Sequence, residues 1–363
     1  MCKNKHRGWK LVFLLMFLFT QQSFASQQVE KEPFNAGEFL IGHISDSYSW
    51  HITNIGKTDI SIPLPIIIKS KERGLFVFFS TKFEHGKAIY QGFGLSKSTK
   101  YKGKVVEYLR NGEEYRPLDF SITKNVFSLL ISAVLLCFTF LSLAKFYKRT
   151  PMKAPKGFQG AMEYLVIFIQ DEVIKPSIGK DYLRYSPYLL TLFFFILLNN
   201  ILGIIPIFPG GANLTGNLAV TMVLAICTFI AVNLFANKDY WKEILLVPSA
   251  PTWLKIPIPM MPALELVGVF TKPLALMIRL FANMLAGHMI AMVFMALIFV
   301  FGSISPLLGT GVSVFSIFFA IFMNVLELLI IFIQAYVFTL LSSIFIGLSR
   351  EETSHETTKK ALN

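Results

Sequence analysis

MPALELVGVFTKPLALMIRLFANMLAGHMIAMVFMALIFVF, residues 261–301, decides the fold of this chain. Its only ionisable side chains are Glu265, Lys272, Arg279 and His288, set in 41 otherwise apolar or weakly polar residues. At 1.5 Å per residue such a helix is about 60 Å long, twice the roughly 30 Å of bilayer hydrocarbon. It must tilt steeply, break or protrude. Near its middle stands Arg279, which cannot shed its proton and whose placement at a bilayer centre costs roughly 2.5–3.5 kcal/mol or more. A cation at that depth faces a protein partner or a water-filled cleft.

Four more apolar blocks surround this one, at 126–144, 187–207, 218–236 and 312–348. The composition agrees: 54% of the 363 residues are hydrophobic, 36 of them Phe, and the mean hydropathy is +0.57. A polytopic membrane protein of about five helices is expected. The formal charge of +12 would suggest nucleic acid in a soluble chain, but here the cations flank the apolar blocks. Segment 145–186 carries Lys145, Lys148, Arg149, Lys153, Lys156, Lys175, Lys180 and Arg184, and segment 237–260 carries Lys238, Lys242 and Lys255. Loops 208–217 and 302–311 carry no charge. By the positive-inside bias the first two segments and the tail 351–363 are cytoplasmic. Nucleic-acid binding is not expected.

The N-terminus fits the same topology. Lys3, Lys5, Arg7 and Lys10 precede an apolar stretch from Leu11 to Phe19 and a Ser23-Phe24-Ala25 cleavage pattern, so residues 1–25 read as a secretory signal. An uncleaved anchor is the competing reading, but nine apolar residues are too few to span. Either way the following segment lies outside the cytoplasm. Cys2 falls in the signal and Cys137 and Cys227 in apolar blocks, so neither a disulfide nor a cysteine metal site is expected in the exported part.

Residues 26–125 contain alternating patches, Ser49-Trp50-His51-Ile52-Thr53, Ile60-Ser61-Ile62 and Leu75 to Phe79, bounded by turns such as Gly86-Lys87. They read as a small β-rich exported domain. His43, His51 and His85 lack metal-ligand spacing and read as ordinary histidines. No cofactor is expected, and no G-x-x-x-x-G-K-[ST] phosphate loop occurs.

Between the first two membrane blocks, Phe158, Met162, Leu165, Val166 and Val173 recur at helical spacing beside Glu163, Asp171 and Glu172, the pattern of an amphipathic helix at the membrane surface. Gly302 to Gly311, with Pro306, supplies a turn that folds the last two blocks into a long antiparallel hairpin.

On a 3.6-residue helix, Asn283 lies one turn beyond Arg279 on the same face, and Glu265 falls about 40° away. His288 falls on the opposite face, about 13.5 Å further toward the outside. In the last block Asn324, Glu327 and Gln334 share a stripe. If Gln334 is level with Arg279, Glu327 is about 10.5 Å further out, close to His288. Two readings are open. Buried polar residues can satisfy one another as glue between helices, or a carboxylate and an imidazole at depth can relay protons, with the fixed Arg279 cation blocking a continuous path.

The run from Thr271 to His288, TKPLALMIRLFANMLAGH, closely resembles subunit a of F-type ATP synthases, whose pattern is K-P-x-x-L-x-x-R-L-x-x-N-x-x-A-G. Asn200 to Pro206 is similar to that family's N-x-x-G-x-x-P, and Glu327 to Phe338 to its last-helix segment. The resemblance covers roughly residues 120–350. It implies a stator subunit that passes protons through two offset half-channels to a rotating c-ring, with peripheral-stalk b subunits, membrane lipid and protons as further partners and no nucleotide site of its own. It implies that Arg279 faces the ring's carboxylate, that His288 and Glu327 form the outer pair in the arrangement familiar from mitochondrial members, and that Glu265 is the inner acid. Asn283 and Gln334 correspond to the polar residues beside the arginine. Asn200, Asn217 and Asn324 are open between lining the path and packing. The family core has no counterpart of the exported domain, and Gly203 stands where some bacterial members carry an acid. An independent ion-coupled transporter with an exported ligand-binding domain is the other function considered, though five unequal blocks show no inverted repeat.

Overall fold

In the N-terminal part, burial follows strand alternation. Through β3 (Pro65–Ser70), Ile66 and Ile68 are fully buried while their neighbours point outward, as a two-residue side-chain period requires. The computed structural model describes Gly37 and residues 45–350, apart from 56–57, 87, 97, 110–112, 151–154, 206–207, 209 and 247–259. The expected signal with its cleavage point after Ala25, His43, Pro206 and the tail 351–363 lie outside the described residues, as do the side chains of His51 and His85.

β1 (Ser49–Ile55) and β2 (Thr58–Pro63) pair antiparallel. β3 pairs with β4 (Gly74–Phe79) on one side. Two further strands in chain order, β5 (Phe93–Leu95) and β6 (Val105–Tyr108), join β7 (Glu114–Tyr115) in a third small sheet, while β8 (Leu118–Asp119) returns to the other side of β3. Tyr48, Ile66, Ile68, Phe83, Phe93 and Val105 form the core between them. Arg73 bridges two sheets: its guanidinium lies 2.6 Å from the buried Glu107 carboxylate and stacks over Phe93. The Tyr48 hydroxyl donates to Asp119 at 2.5 Å, and burial, followed by that carboxylate, pushes the phenol well above its ordinary value. It therefore remains a neutral donor.

Asp46 accepts from the Asn125 amide at 3.1 Å, and the Lys124 amide donates to Ser47. The β domain is thus stitched to the first turn of α1 (Lys124–Arg149). Next come α2 (Phe158–Ile169), a π-helical turn (Gln170–Ile174) and α3 (Lys175–Ile178). They lead through a short 3₁₀ turn into α4 (Tyr182–Ile204). α5 (Leu218–Leu234), α6 (Lys238–Leu246), α7 (Met260–Ile304) and α8 (Pro306–Arg350) complete the order. Among the described residues four stretches are long and apolar enough to cross a membrane, Lys124–Arg149, Phe158–Ile204, Met261–Ile304 and Gly309–Arg350, with the shorter apolar Leu218–Leu234 beside them. Exposed Leu, Ile, Val and Phe cover much of α1, α5, α7 and α8, as surfaces facing lipid or another subunit require. The chain is a polytopic helical membrane protein with a β-rich N-terminal region.

α7 and α8 form the expected hairpin, but its turn is narrower than the 302–311 segment expected from sequence. Ser305 alone separates the helices. Gly302 and Gly309 permit this, since a Cβ on Gly309 would lie 2.8 Å from the Gly302 Cα. α8 also packs on α4, where Phe193 meets Phe332, and α5 packs on α7 through Phe229 and Phe270. Ile169, Val173 and Ile174 of the amphipathic segment are fully buried, whereas Phe158 stands out in the open. At the end of the bundle away from the β domain, Arg350 donates to Asp181 at 2.8 Å and to the Phe235 carbonyl, while Asn237 donates to the Ser349 and Arg350 carbonyls. Segments 145–186 and 237–260, expected on one side of the membrane, thus meet the C-terminal end of α8 there.

Gly347 lies so close to α3 that a Cβ on it would overlap the Ser177 carbonyl. Gly347→Val is expected to cost about 1–3 kcal/mol of strain and lower the apparent Tm of the chain in detergent. Gly268→Val, where nothing lies within 4 Å, is expected to leave that Tm unchanged.

Candidate functional site

The polar residues at membrane depth sit on α7 and α8, and three contacts fix how those helices face each other. Phe294 stacks on Phe319 with ring centroids 5.6 Å apart. A Cβ on Gly287 would touch the Glu327 carboxyl group at 3.4 Å. Lys272 Nζ lies 5.8 Å from the centre of the Phe345 ring. Interpolated along this register, Gln334 lies within about one helical turn of the level of Arg279, and Glu327 is level with His288. The depths expected from spacing alone therefore agree with the register of the hairpin.

Glu327 is 4% exposed, and its Oε1 has no hydrogen-bond partner among the described residues. Gly287 lies directly against it: a Cβ there would already be in van der Waals contact with the carboxyl group, so a larger side chain would crowd it. His288, the next residue, is half-buried. A desolvated carboxyl with an open oxygen beside an imidazole-bearing turn is a group able to exchange a proton with water or a neighbour.

Arg279 behaves differently. The buried face of α7 is Leu276, Leu280 and Met284, which join Ile331, Ala335 and Phe338 of α8 in the core. Arg279 is turned away from that face and exposed, and among the described residues its guanidinium has no hydrogen-bond or ion-pair partner. Gln334 is 7% exposed and inward, so no hydrogen bond joins it to Arg279 despite their similar depth. Around Arg279 the exposed stripe is built of small residues: Ala275, Ala282 and Ala286 at offsets of four, three and seven. Small side chains let another helix approach closely. This stripe was legible in the sequence from spacing but is recognised only once the face is known to be open.

Asn283 is half-exposed beside this stripe, and Glu265 is exposed near the opposite end of α7. Glu265 lies close to Tyr240 of α6, whose phenol is raised above its ordinary value by burial first and by that carboxylate second. Asn324 is exposed rather than grouped with Glu327, because an offset of three residues turns it about 60° around the helix.

Two asparagines on α4 have different tasks from Asn217. The fully buried Asn200 accepts a 2.5 Å hydrogen bond from Thr215 and Asn199 donates to the Phe195 carbonyl at 2.7 Å, while the Asn200 Nδ2 and the Asn199 Oδ1 have no partner among the described residues. Asn217 caps α5, accepting from the Ala219 amide at 3.0 Å. The connecting loop also reaches α7: Asn213 donates to the Met284 carbonyl at 3.4 Å and accepts from the Gly216 amide. The loop lies against α4 at Gly203, where a Cβ would be in van der Waals contact with the Ala212 carbonyl at 3.6 Å. Thr215 and Asn213 escaped the sequence reading because their partners are distant along the chain.

Comparison with known proteins identifies the family. Residues 126–347 match the family model described as ATP synthase A chain, and residues 39–120 match one described as a domain of unknown function. The chain is 45% identical over 243 residues to ATP synthase subunit a of Pelodictyon phaeoclathratiforme, covering 66% of this chain and 68% of that protein. It is 46% identical over 243 residues to ATP synthase subunit a 2 of Chlorobium luteolum, covering 66% and 67%. With ATP synthase subunit a of Myxococcus xanthus it shares 43% over 241 residues, covering 64% and 74%. The motif around Arg279, the long α7–α8 hairpin and these matches agree, and the chain belongs to the ATP synthase A chain family, subunit a of the F-type ATP synthase.

Proposed function

We propose that this chain is the proton-conducting stator subunit of the membrane sector, offering two offset half-channels to a rotating c-ring and so coupling proton flow to rotation and ATP synthesis. The observation that carries this reading is Arg279: an exposed guanidinium, without a partner among the described residues, in the middle of a membrane helix on a stripe of Ala275, Ala282 and Ala286. Such a cation requires a partner from another chain, and a carboxylate on a closely approaching helix meets both the charge and the space. The nucleotide chemistry belongs to other subunits of the assembly.

In this reading protons reach the ring past His288 and Glu327, with the Asn200 and Thr215 pair near the mouth, and leave it on the side of Glu265. Arg279 holds the two paths apart, because a proton moving along either one meets a fixed positive charge. Asn283 and Gln334 keep its surroundings polar. The positive-inside bias and the signal at residues 1–25 place residues 26–125 outside the cytoplasm and the tail 351–363 inside it. Peripheral-stalk b subunits would hold the chain against the torque of the ring.

The exposed stripe gives a direct test in assembled complexes. A cysteine at Ala282 is expected to form a disulfide with a cysteine placed one helical turn from the ring's carboxylate. A cysteine at Met284, which is 2% exposed on the opposite, buried face, is expected to form none. Cross-linking from Met284 alone would place the ring on the wrong side of α7 and sink the reading.

A further inference from the structure

The β domain carries an apolar face that its own core does not use. Ile66 and Ile68 point inward, so Pro65, Ile67 and Lys69 lie on the other face of the sheet. In the β3–β4 register Phe79 stands beside Pro65, Val77 beside Ile67 and Leu75 beside Lys69. On the far side of β3, Leu118 pairs with Lys69 and the Phe120 amide donates to the Ile67 carbonyl. Leu75, Val77, Phe79, Leu118 and Phe120 are 58–64% exposed. Neighbours on a single sheet face, they form a contiguous apolar patch, which on a folded domain marks a contact surface.

What covers that patch follows from where the sheet is tethered. The Ile122 amide donates to the Pro65 carbonyl at 3.0 Å, and α1 begins at Lys124. The row of Phe79, Pro65 and Ile122 is therefore two residues, at most about 7 Å, from the start of a membrane helix. Trp50 fixes the domain from another direction. Its ring packs edge-on against Phe127, in the first turn of α1, at 5.9 Å and against Phe208 of the loop between α4 and α5 at 5.4 Å. The domain is thus held down against the rim of the helical bundle at two places instead of hanging from a linker. Lys69 on the face and Lys71 in the adjoining turn are exposed. Their long stems can lie along apolar surface while the ammonium groups stay among headgroups.

We propose that the face formed by Leu75, Val77, Phe79, Leu118 and Phe120 lies in the interfacial layer of the bilayer at this end of the molecule. Its occupant is phospholipid: the upper acyl chain against the apolar side chains, and headgroup phosphate against Lys69 and Lys71. The β domain is then a monotopic attachment beside the spanning helices.

The test uses the full chain reconstituted into vesicles of phosphatidylethanolamine and phosphatidylglycerol. Nitroxides are placed at Val77→Cys and Leu118→Cys, with Lys102→Cys in an exposed turn as reference, after replacing Cys2, Cys137 and Cys227 by serine. At positions 77 and 118 collisions with dissolved oxygen are expected to exceed those with a water-soluble nickel chelate several-fold, with the reverse order at 102. Dominant chelate collisions at 77 and 118 would put the face in water and overturn the proposal. Low collisions with both reagents would show a protein cover, from this chain or another subunit, and would overturn it equally. Carbene labelling of the unsubstituted chain by a membrane-partitioned diazirine requires no variant to fold. Label in peptides 74–79 and 118–120 supports lipid contact, and label confined to the helices refutes it.

Discussion

Membranes carrying Arg279→Ala are expected to lose ATP-driven proton pumping and proton-driven ATP synthesis altogether, while ATP hydrolysis by the detached catalytic sector survives. Arg279 presents its charge outward on α7 with no partner in its own chain among the described residues, so its partner is intermolecular in the proposed assembly. Truncating one member of a desolvated interfacial charge pair costs about 2–5 kcal/mol, or roughly 30- to 5,000-fold in an equilibrium. The loss should therefore be near complete rather than graded. With the fixed charge gone, the barrier between the two proton paths also falls, and passive conduction down an imposed gradient is expected to rise. Arg279→Lys restores charge but not the planar fork, and its ammonium can deprotonate, so partial recovery at best is expected. The measurement is quenching of a pH-sensitive dye in inverted vesicles, with and without ATP. Pumping at the unsubstituted rate in Arg279→Ala would remove the central claim.

The second large effect concerns Glu327 and His288. Glu327→Gln keeps the shape that fits against Gly287 but removes the proton-exchanging group. Positioned acid–base groups contribute about 10²–10⁴-fold to proton transfer, so proton flux is expected to fall by roughly two orders of magnitude. His288→Ala should fall comparably. Because the two positions are level across the hairpin, the double exchange His288→Glu with Glu327→His places one acid and one base in the same small volume, and it should recover a measurable fraction of the flux. Equal loss in the exchange and in the single variants would show that the two groups act separately. A Gly287→Leu variant offers an independent check, since its side chain, built on a Cβ already in contact with the Glu327 carboxyl group, crowds that group while leaving both ionisable residues in place.

Much of this arrangement was legible in the sequence because membrane helices announce themselves by long apolar runs. The block expected at 261–301 is the helix Met260–Ile304, and the depth order of Glu265, Arg279 and His288 follows from the helical rise alone. The level of Glu327 beside His288 required that the last two helices be antiparallel and that Gln334 stand level with Arg279. Other features had no one-dimensional signal. The π-helical turn at Gln170–Ile174 changes the helix period by less than one residue and leaves the apolar spacing readable. Strand β3 is a nearly unbroken apolar run, Pro65 to Ile68, without the polar alternation that exposed β1. The Asn213 and Met284 contact joins residues 71 apart. The narrowness of the hairpin turn was hidden by Gly302, Gly309 and Gly311, which read as loop formers in water yet sit within helices in an apolar setting.

α5 differs from its neighbours in a way that reaches the energetics of the whole membrane. Leu218–Leu234 has 17 residues and is about 25 Å long, some 5 Å less than typical hydrocarbon thickness, a mismatch met by thinner lipid beside it, by snorkelling flanks or by neighbouring helices. The membrane voltage is dropped across whatever insulating thickness remains. Wherever the lipid is thinner next to α5, which packs on α7, the same voltage produces a steeper electric field. A proton crossing there performs its electrical work over fewer ångströms, close to the groups that must respond to it.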